Sequence, residues 1–122
     1  FVKFSRELSA GNVIRRVTET GFVIGDDTFP GPLVLTADEI FEGWAGAPVA
    51  ELVESHFDQV LATSPELILL GTGATNIFPP RELVFAMARR GVGFEVMDSK
   101  AAARTFNVLV GEERQVAAVL YL

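Results

Sequence analysis

Leu67-Ile68-Leu69-Leu70-Gly71-Thr72-Gly73 is the stretch on which the fold turns. Four consecutive apolar residues after Pro65 have no polar face, as expected of an interior strand covered on both sides in a parallel sheet. The strand runs directly into a glycine-threonine-glycine loop. Pro79-Pro80 then sets the first turn of a helix whose Leu83, Val84 and Met87 form one stripe, with Gly91 at the C′ position. Val92 to Met97 reads as a second strand, ending in Asp98-Ser99, either of which can cap a following helix. In that helix Ala102, Thr105, Phe106 and Leu109 share a face. Val116 to Leu122 is apolar throughout and predicts a buried last strand, parallel by default. The back half is therefore strand–helix–strand–helix–strand. Carboxyl ends of parallel strands lie side by side, so the loop at Gly71, Thr72 and Gly73 is expected beside Asp98, Ser99, Arg104, Thr105 and Asn107.

The front is β-rich. Val13 to Thr18 and Gly21 to Ile24 read as strands around Glu19-Thr20-Gly21. Asp26-Asp27 marks a turn, and Pro30-Gly31-Pro32 precedes the strand Leu33-Val34-Leu35. Thr36 to Glu39 reads as the cap and first turn of a short helix. A longer helix is expected from Pro48 through Leu52, Val53 and Phe57 to Val60-Leu61. Phe1 to Gly11 reads as a disordered lead-in to one domain over residues 1–122. The expected architecture is α/β, with helices on one side of a central sheet and extra strands, with or without a helix, on the other.

With 122 residues, 49% apolar and 21% charged, the chain has globular composition and length for one core. It has no cysteine, hence no disulfide and no thiol chemistry. No apolar run reaches the roughly 18 residues of a membrane span. Phe1 in place of Met suggests a trimmed start. The net charge of −6 argues against binding nucleic acid. Charge is also segregated. Residues 17–80 contain ten acidic groups and no Lys or Arg, while the flanks carry a balance of +4. Such a distribution fits either a solvated acidic face or a bipolar surface that orients a protein partner.

Catalytic constellations are missing from the pattern. His56 is the single histidine and has no evident serine partner. Asp26-Asp27 and Glu112-Glu113 are turn-like pairs rather than a metal or glycosidase set. Gly71-Thr72-Gly73 can present backbone N–H groups to an anion, but it lacks the spacing and lysine of a phosphate loop and reads first as a tight turn closing the strand. Arg104, three residues from Asn107, can grasp an anion or tie loops together. Trp44 reads as a core residue or as an exposed partner anchor.

The ordered motifs Leu69 to Gly73, Val96 to Ser99, Ala102 to Leu109 and Glu112 to Ala118 identify a resemblance. The chain resembles the small α/β domain family that includes mitochondrial complex I assembly factor 3 and the adipogenesis-associated domain protein. The match is specific over residues 64–122 and looser over 13–63. The resemblance implies a three-layer fold on a mixed sheet, with the last strand antiparallel to the others. It also implies a non-enzymatic role in assembling respiratory complex I through protein contacts. Gly71, Thr72, Gly73, Asp98, Arg104, Thr105, Asn107 and Arg114 are family-typical positions. Ser99 and Phe106 stand where threonine and tyrosine are common. The expectation is thus a cytoplasmic protein, mitochondrial in a eukaryote, that binds protein partners such as respiratory-complex subunits, with no cofactor, metal or catalytic residue. The alternative is a small-molecule or anion binder, or minor enzyme, using the Gly71–Gly73 and Arg104 cleft. A third reading is a homodimer joined through the β-rich front.

Overall fold

The structure is a computed structural model and describes residues 11–122. The lead-in expected over residues 1–11 lies, but for Gly11, outside them. β1 (Ile14–Val17), β2 (Phe22–Ile24) and β3 (Asp27–Phe29) form an antiparallel three-stranded sheet. β4 (Leu33–Leu35) and β5 (Ile40–Phe41) open the larger sheet. After 3-10 turns at Val49–Glu51 and Glu54–Phe57 come α1 (Asp58–Leu61), β6 (Leu67–Thr72), α2 (Arg81–Arg89), β7 (Gly93–Met97), α3 (Ser99–Gly111) and β8 (Val116–Tyr121).

The large sheet has the order β5-β4-β8-β6-β7. β8 is the middle strand, and β6 lies between β8 and the edge strand β7, parallel to both. From β6 the chain crosses through α2 to β7 on one side, then returns through α3 to β8 on the other. Right-handed crossovers in opposite directions place the two helices on opposite faces. β8 is antiparallel to β4 and parallel to β6. The expectation of a last strand antiparallel to the others therefore holds on one side only, because α3 returns the chain in the direction of β6.

Alternation along the strands divides the core. Leu33, Leu35, Leu69, Ala118 and Leu120 meet Ala102 and Phe106 of α3 together with Ile14, Phe22 and Ile24 of the small sheet. Val34, Ile68, Leu70, Ala117 and Val119 meet Leu83 and Met87 of α2, and Trp44, Leu52 and Phe57. One side thus carries helices and the other carries extra strands plus one helix, as expected. Trp44 is a core residue: its Nε1 donates to the His56 carbonyl at 3.0 Å and its ring meets Phe57 and Tyr121 edge-on.

Two expected helices are not formed as such. Thr36 to Glu39 is a turn joining β4 to β5. Thr36 Oγ1 accepts the N–H groups of Asp38 and Glu39, and the Thr36 N–H donates to the Glu39 carbonyl. A threonine side chain has here out-competed the helical ladder. The helix expected from Pro48 to Leu61 is broken into three short pieces because Leu52 and Val53 are extended. The Val53 N–H is taken by His56 Nδ1 at 3.0 Å.

Candidate functional site

The carboxyl ends of β6, β7 and β8 share one end of the sheet, and the glycines there serve packing. A Cβ on Gly71 would lie 2.8 Å from both Leu120 Cδ2 and Ser99 Oγ. Gly73 has φ +98°, which favours glycine, and a Cβ there would meet the Leu122 carbonyl at 3.0 Å. The start of α3 therefore rests directly on backbone.

The polar groups of this end are bonded to one another. Ser99, 2% exposed, accepts from the Gly73 N–H through its hydroxyl at 2.8 Å and donates to the Tyr121 carbonyl. The Ser99 N–H donates to the Gly73 carbonyl at 2.9 Å. Asp98 is the N-cap of α3, its Oδ1 accepting from the Ala101 N–H at 2.9 Å. Of the first four N–H groups of α3, those of Ser99, Ala101 and Ala102 are thus taken by the chain itself. Thr72, also buried, donates from Oγ1 to the Thr75 carbonyl at 2.6 Å and accepts from the Ile77 N–H at 3.0 Å.

The remaining expected residues are dispersed. Arg104 is exposed, its side chain has no hydrogen-bond or ion-pair partner among the described residues, and it is not among the residues that line the hollow at Gly73. Thr105 turns towards β7, with Oγ1 3.6 Å from Met97 Sδ. Asn107 faces the opposite flank of α3 and clamps β1. Its Oδ1 accepts the Ile14 N–H and its Nδ2 donates to the Ile14 carbonyl, both at 2.9 Å. Arg114 lies at the far end of the sheet, paired with Glu66 at 3.3 Å. The Arg114 guanidinium and the Gln115 N–H hold the Glu66 carboxyl below its ordinary range. Glu54 is paired with Arg90 at 2.6 Å and Asp26 with Arg15 at 4.0 Å, so three members of the acidic block are matched by cations from the flanks.

At the carboxyl ends of β6 and β8 lies a hollow of about 340 Å³. Val17, Thr18, Glu19, Gly73, Lys100, Tyr121 and Leu122 line it. A crevice at the carboxyl ends of the strands is where an open α/β sheet usually takes a ligand. Sequence reading missed Lys100, Tyr121 and the Val17–Glu19 turn as its walls. The strand–helix–strand order was visible, but the turn arrives from the front half by tertiary packing alone. Burial pushes the Tyr121 phenol up to about 12, and its hydroxyl donates to the Ala47 carbonyl at 2.6 Å. The same end also displays apolar surface: Phe78 is 78% exposed and Ile77 43% exposed on the loop that Thr72 pins. No group of metal-ligating side chains is found among the described residues.

Comparison with known proteins places the chain. It is similar to a 13 kDa major membrane protein of Francisella tularensis subsp. holarctica, with 34% identity, covering 81% of each chain. It is also 34% identical to the NADH dehydrogenase (ubiquinone) 1 alpha subcomplex assembly factor 3 of Danio rerio, covering 94% of this chain and 67% of that protein. A crystal structure of a Bordetella parapertussis protein superimposes with a TM-score of 0.83 at 28% identity, covering 93% of this chain and 98% of the other. The family described as protein of unknown function (DUF498/DUF598) matches residues 14–121. With that match spanning every sheet and α-helix of the described residues, the chain belongs to the DUF498/DUF598 family.

Proposed function

We propose that this protein is a non-catalytic factor that acts by binding other proteins, in the manner of an assembly or accessory factor for a respiratory complex, and that the Ile77–Phe78 loop is a contact point. The observation that carries the reading is the use made of Thr72. Its buried hydroxyl spends both donor and acceptor on the loop that exposes Phe78, the most exposed large apolar side chain among the described residues. An aromatic held out on a pinned loop has the form of an interface anchor. The polar groups beside it are consumed internally, which leaves little for chemistry. The similarity to an assembly factor supports the same reading. So does the relative named as a membrane protein. No helix among the described residues is long and apolar enough to cross a membrane, but a membrane-bound complex can be reached through its exposed subunits.

The test is site-specific photo-crosslinking in native cells, with a photoreactive phenylalanine analogue at position 78 and, as control, at the exposed Val108. A discrete protein adduct is expected from position 78, including respiratory subunits. Equal, unspecific labelling from both positions would sink the proposal.

A second reading keeps one observation in its favour. The hollow at the carboxyl ends of β6 and β8, with Lys100 on its wall, offers a place for a small anionic ligand. Under this reading Lys100→Ala weakens a metabolite identified by ligand screening, while Arg104→Ala leaves it untouched. An equal effect of the two changes would refute it.

A further inference from the structure

The described sheets have edges at β1, β3, β5 and β7. Exposed edges invite pairing with other chains, and proteins usually blunt them. Three of these are blunted. β5 is only two residues long, and β3 only three. β1 is bulged between Ile14 and Arg16, and Asn107 engages both backbone groups of Ile14.

β7 is different. Its five residues, Gly93-Phe94-Glu95-Val96-Met97, pair in unbroken register with β6 and contain no proline or lysine. The Gly93 N–H donates to the Glu66 carbonyl, which sets the parity of the ladder. Gly93, Glu95 and Met97 bond towards β6, so the N–H and C=O groups of Phe94 and Val96 point outward. They meet no partner among the described residues.

We propose that β7 takes up an extended segment of a protein partner as an added strand, with a Lys or Arg of that segment opposite Glu95. This inference rests on the protein-binding reading but uses a surface separate from the Ile77–Phe78 loop. Charge selects the occupant. If two copies paired antiparallel with full overlap, Phe94 would bond to Val96 of the other copy, and Glu95 would face its own counterpart. That position is a non-hydrogen-bonded one, where Cα atoms approach to about 4.5 Å and like charges are destabilising. A basic residue there converts the repulsion into a cross-strand pair. On the α3 side, Thr105 lies against Met97, and Val108, three residues on, is 58% exposed. The added strand thus finds apolar cover on that side.

The test uses the full chain, isotope-labelled for amide NMR, and three synthetic eight-residue peptides of alternating Thr and Val with Lys, Ser or Glu at the centre. Peptides are added up to about 1 mM, the range of weak contacts. The Lys peptide is expected to protect the Phe94 and Val96 amides from exchange and to bind about two- to fivefold more tightly than the Glu peptide. Glu95→Lys, an exposed change, should reverse that order. Val96→Pro removes an outward donor and should abolish the protection. If Val96→Pro does not fold, the charge reversal still decides. The proposal is overturned if no peptide protects these amides, or if the order ignores the sign at position 95. Slow exchange at both amides in the free chain would show that its own residues cover the edge. Protection that rises with protein concentration alone would show a second copy there. Either of those results also overturns the proposal. A crosslinked partner at position 78 with no protection of β7 would refute this inference and leave the proposed function standing.

Discussion

Asn107 offers the sharpest separation of a structural role from a ligand-binding one. Its amide makes two hydrogen bonds of 2.9 Å to the backbone of Ile14, which is 4% exposed. Asn107→Ala leaves a half-buried N–H and a half-buried C=O on β1 without this partner. Each ordinary bond of this kind contributes about 1 kcal/mol, so the pair accounts for about 2 kcal/mol. A chain of 122 residues has an unfolding entropy of about 0.26 kcal/mol/K. The melting temperature should therefore fall by about 8 °C. Calorimetry measures the shift, and amide exchange locates it, since Ile14 should lose protection first. Asn107→Asp keeps the acceptor for the Ile14 N–H but sets an oxygen against the Ile14 carbonyl, so it should not restore stability. A variant within about 1 °C of wild type, with Ile14 still protected, would refute the clamp.

Four further outcomes are expected. Gly71→Ala brings a Cβ within 2.8 Å of Leu120 Cδ2 and Ser99 Oγ and 3.0 Å of Ser99 Cα, which should cost about 1–3 kcal/mol by overpacking in a urea titration. An unchanged midpoint would show that α3 shifts freely. Arg104→Ala and Phe78→Ser, both at exposed positions, should each change stability by less than about 0.5 kcal/mol. A large loss in either would reveal an unrecognised structural contact. The folded Tyr121 phenol keeps its proton to about 12, against 10.0 when unperturbed. Between those values the unfolded chain ionises first, so stability should fall as pH rises, and Tyr121→Phe should remove that slope. Glu66, held below its ordinary 4.5, contributes stability above that value that is lost as pH falls through its folded pKa. Arg114→Ala should weaken this acid dependence in a pH series of thermal melts.

The arrangement divides labour between the two ends of the sheet. At the carboxyl ends, hydroxyls, a cap and two glycines are used to seat α3 and to hold out Ile77 and Phe78. At the amino ends, Glu66 and Arg114 join the starts of β6 and β8 from outside the core. The polar residue types that suggest a binding cleft in one dimension are, in three, mostly the fasteners of the turns.

The sequence by itself determined the back half of the chain. Four apolar residues at Leu67 to Leu70, the Pro79-Pro80 start, the Gly91 stop and the Asp98 cap are local signals, and each acts within a turn or two of itself. The family resemblance and the membership of Gly71, Thr72, Gly73, Asp98 and Ser99 in one cluster were legible for the same reason. Only tertiary structure decided the rest. Whether Asn107 reaches Ile14, 93 residues away, depends on which flank of α3 faces the small sheet, and that phase is set by packing. Val53 to Phe57 broke a helical pattern because His56 bonded the Val53 N–H and Trp44 sealed the His56 carbonyl. The return through α3 made β8 parallel to β6, but its second neighbour, the antiparallel β4, was left open by the apolar pattern, since a strand buried on both faces reads the same beside either kind of partner.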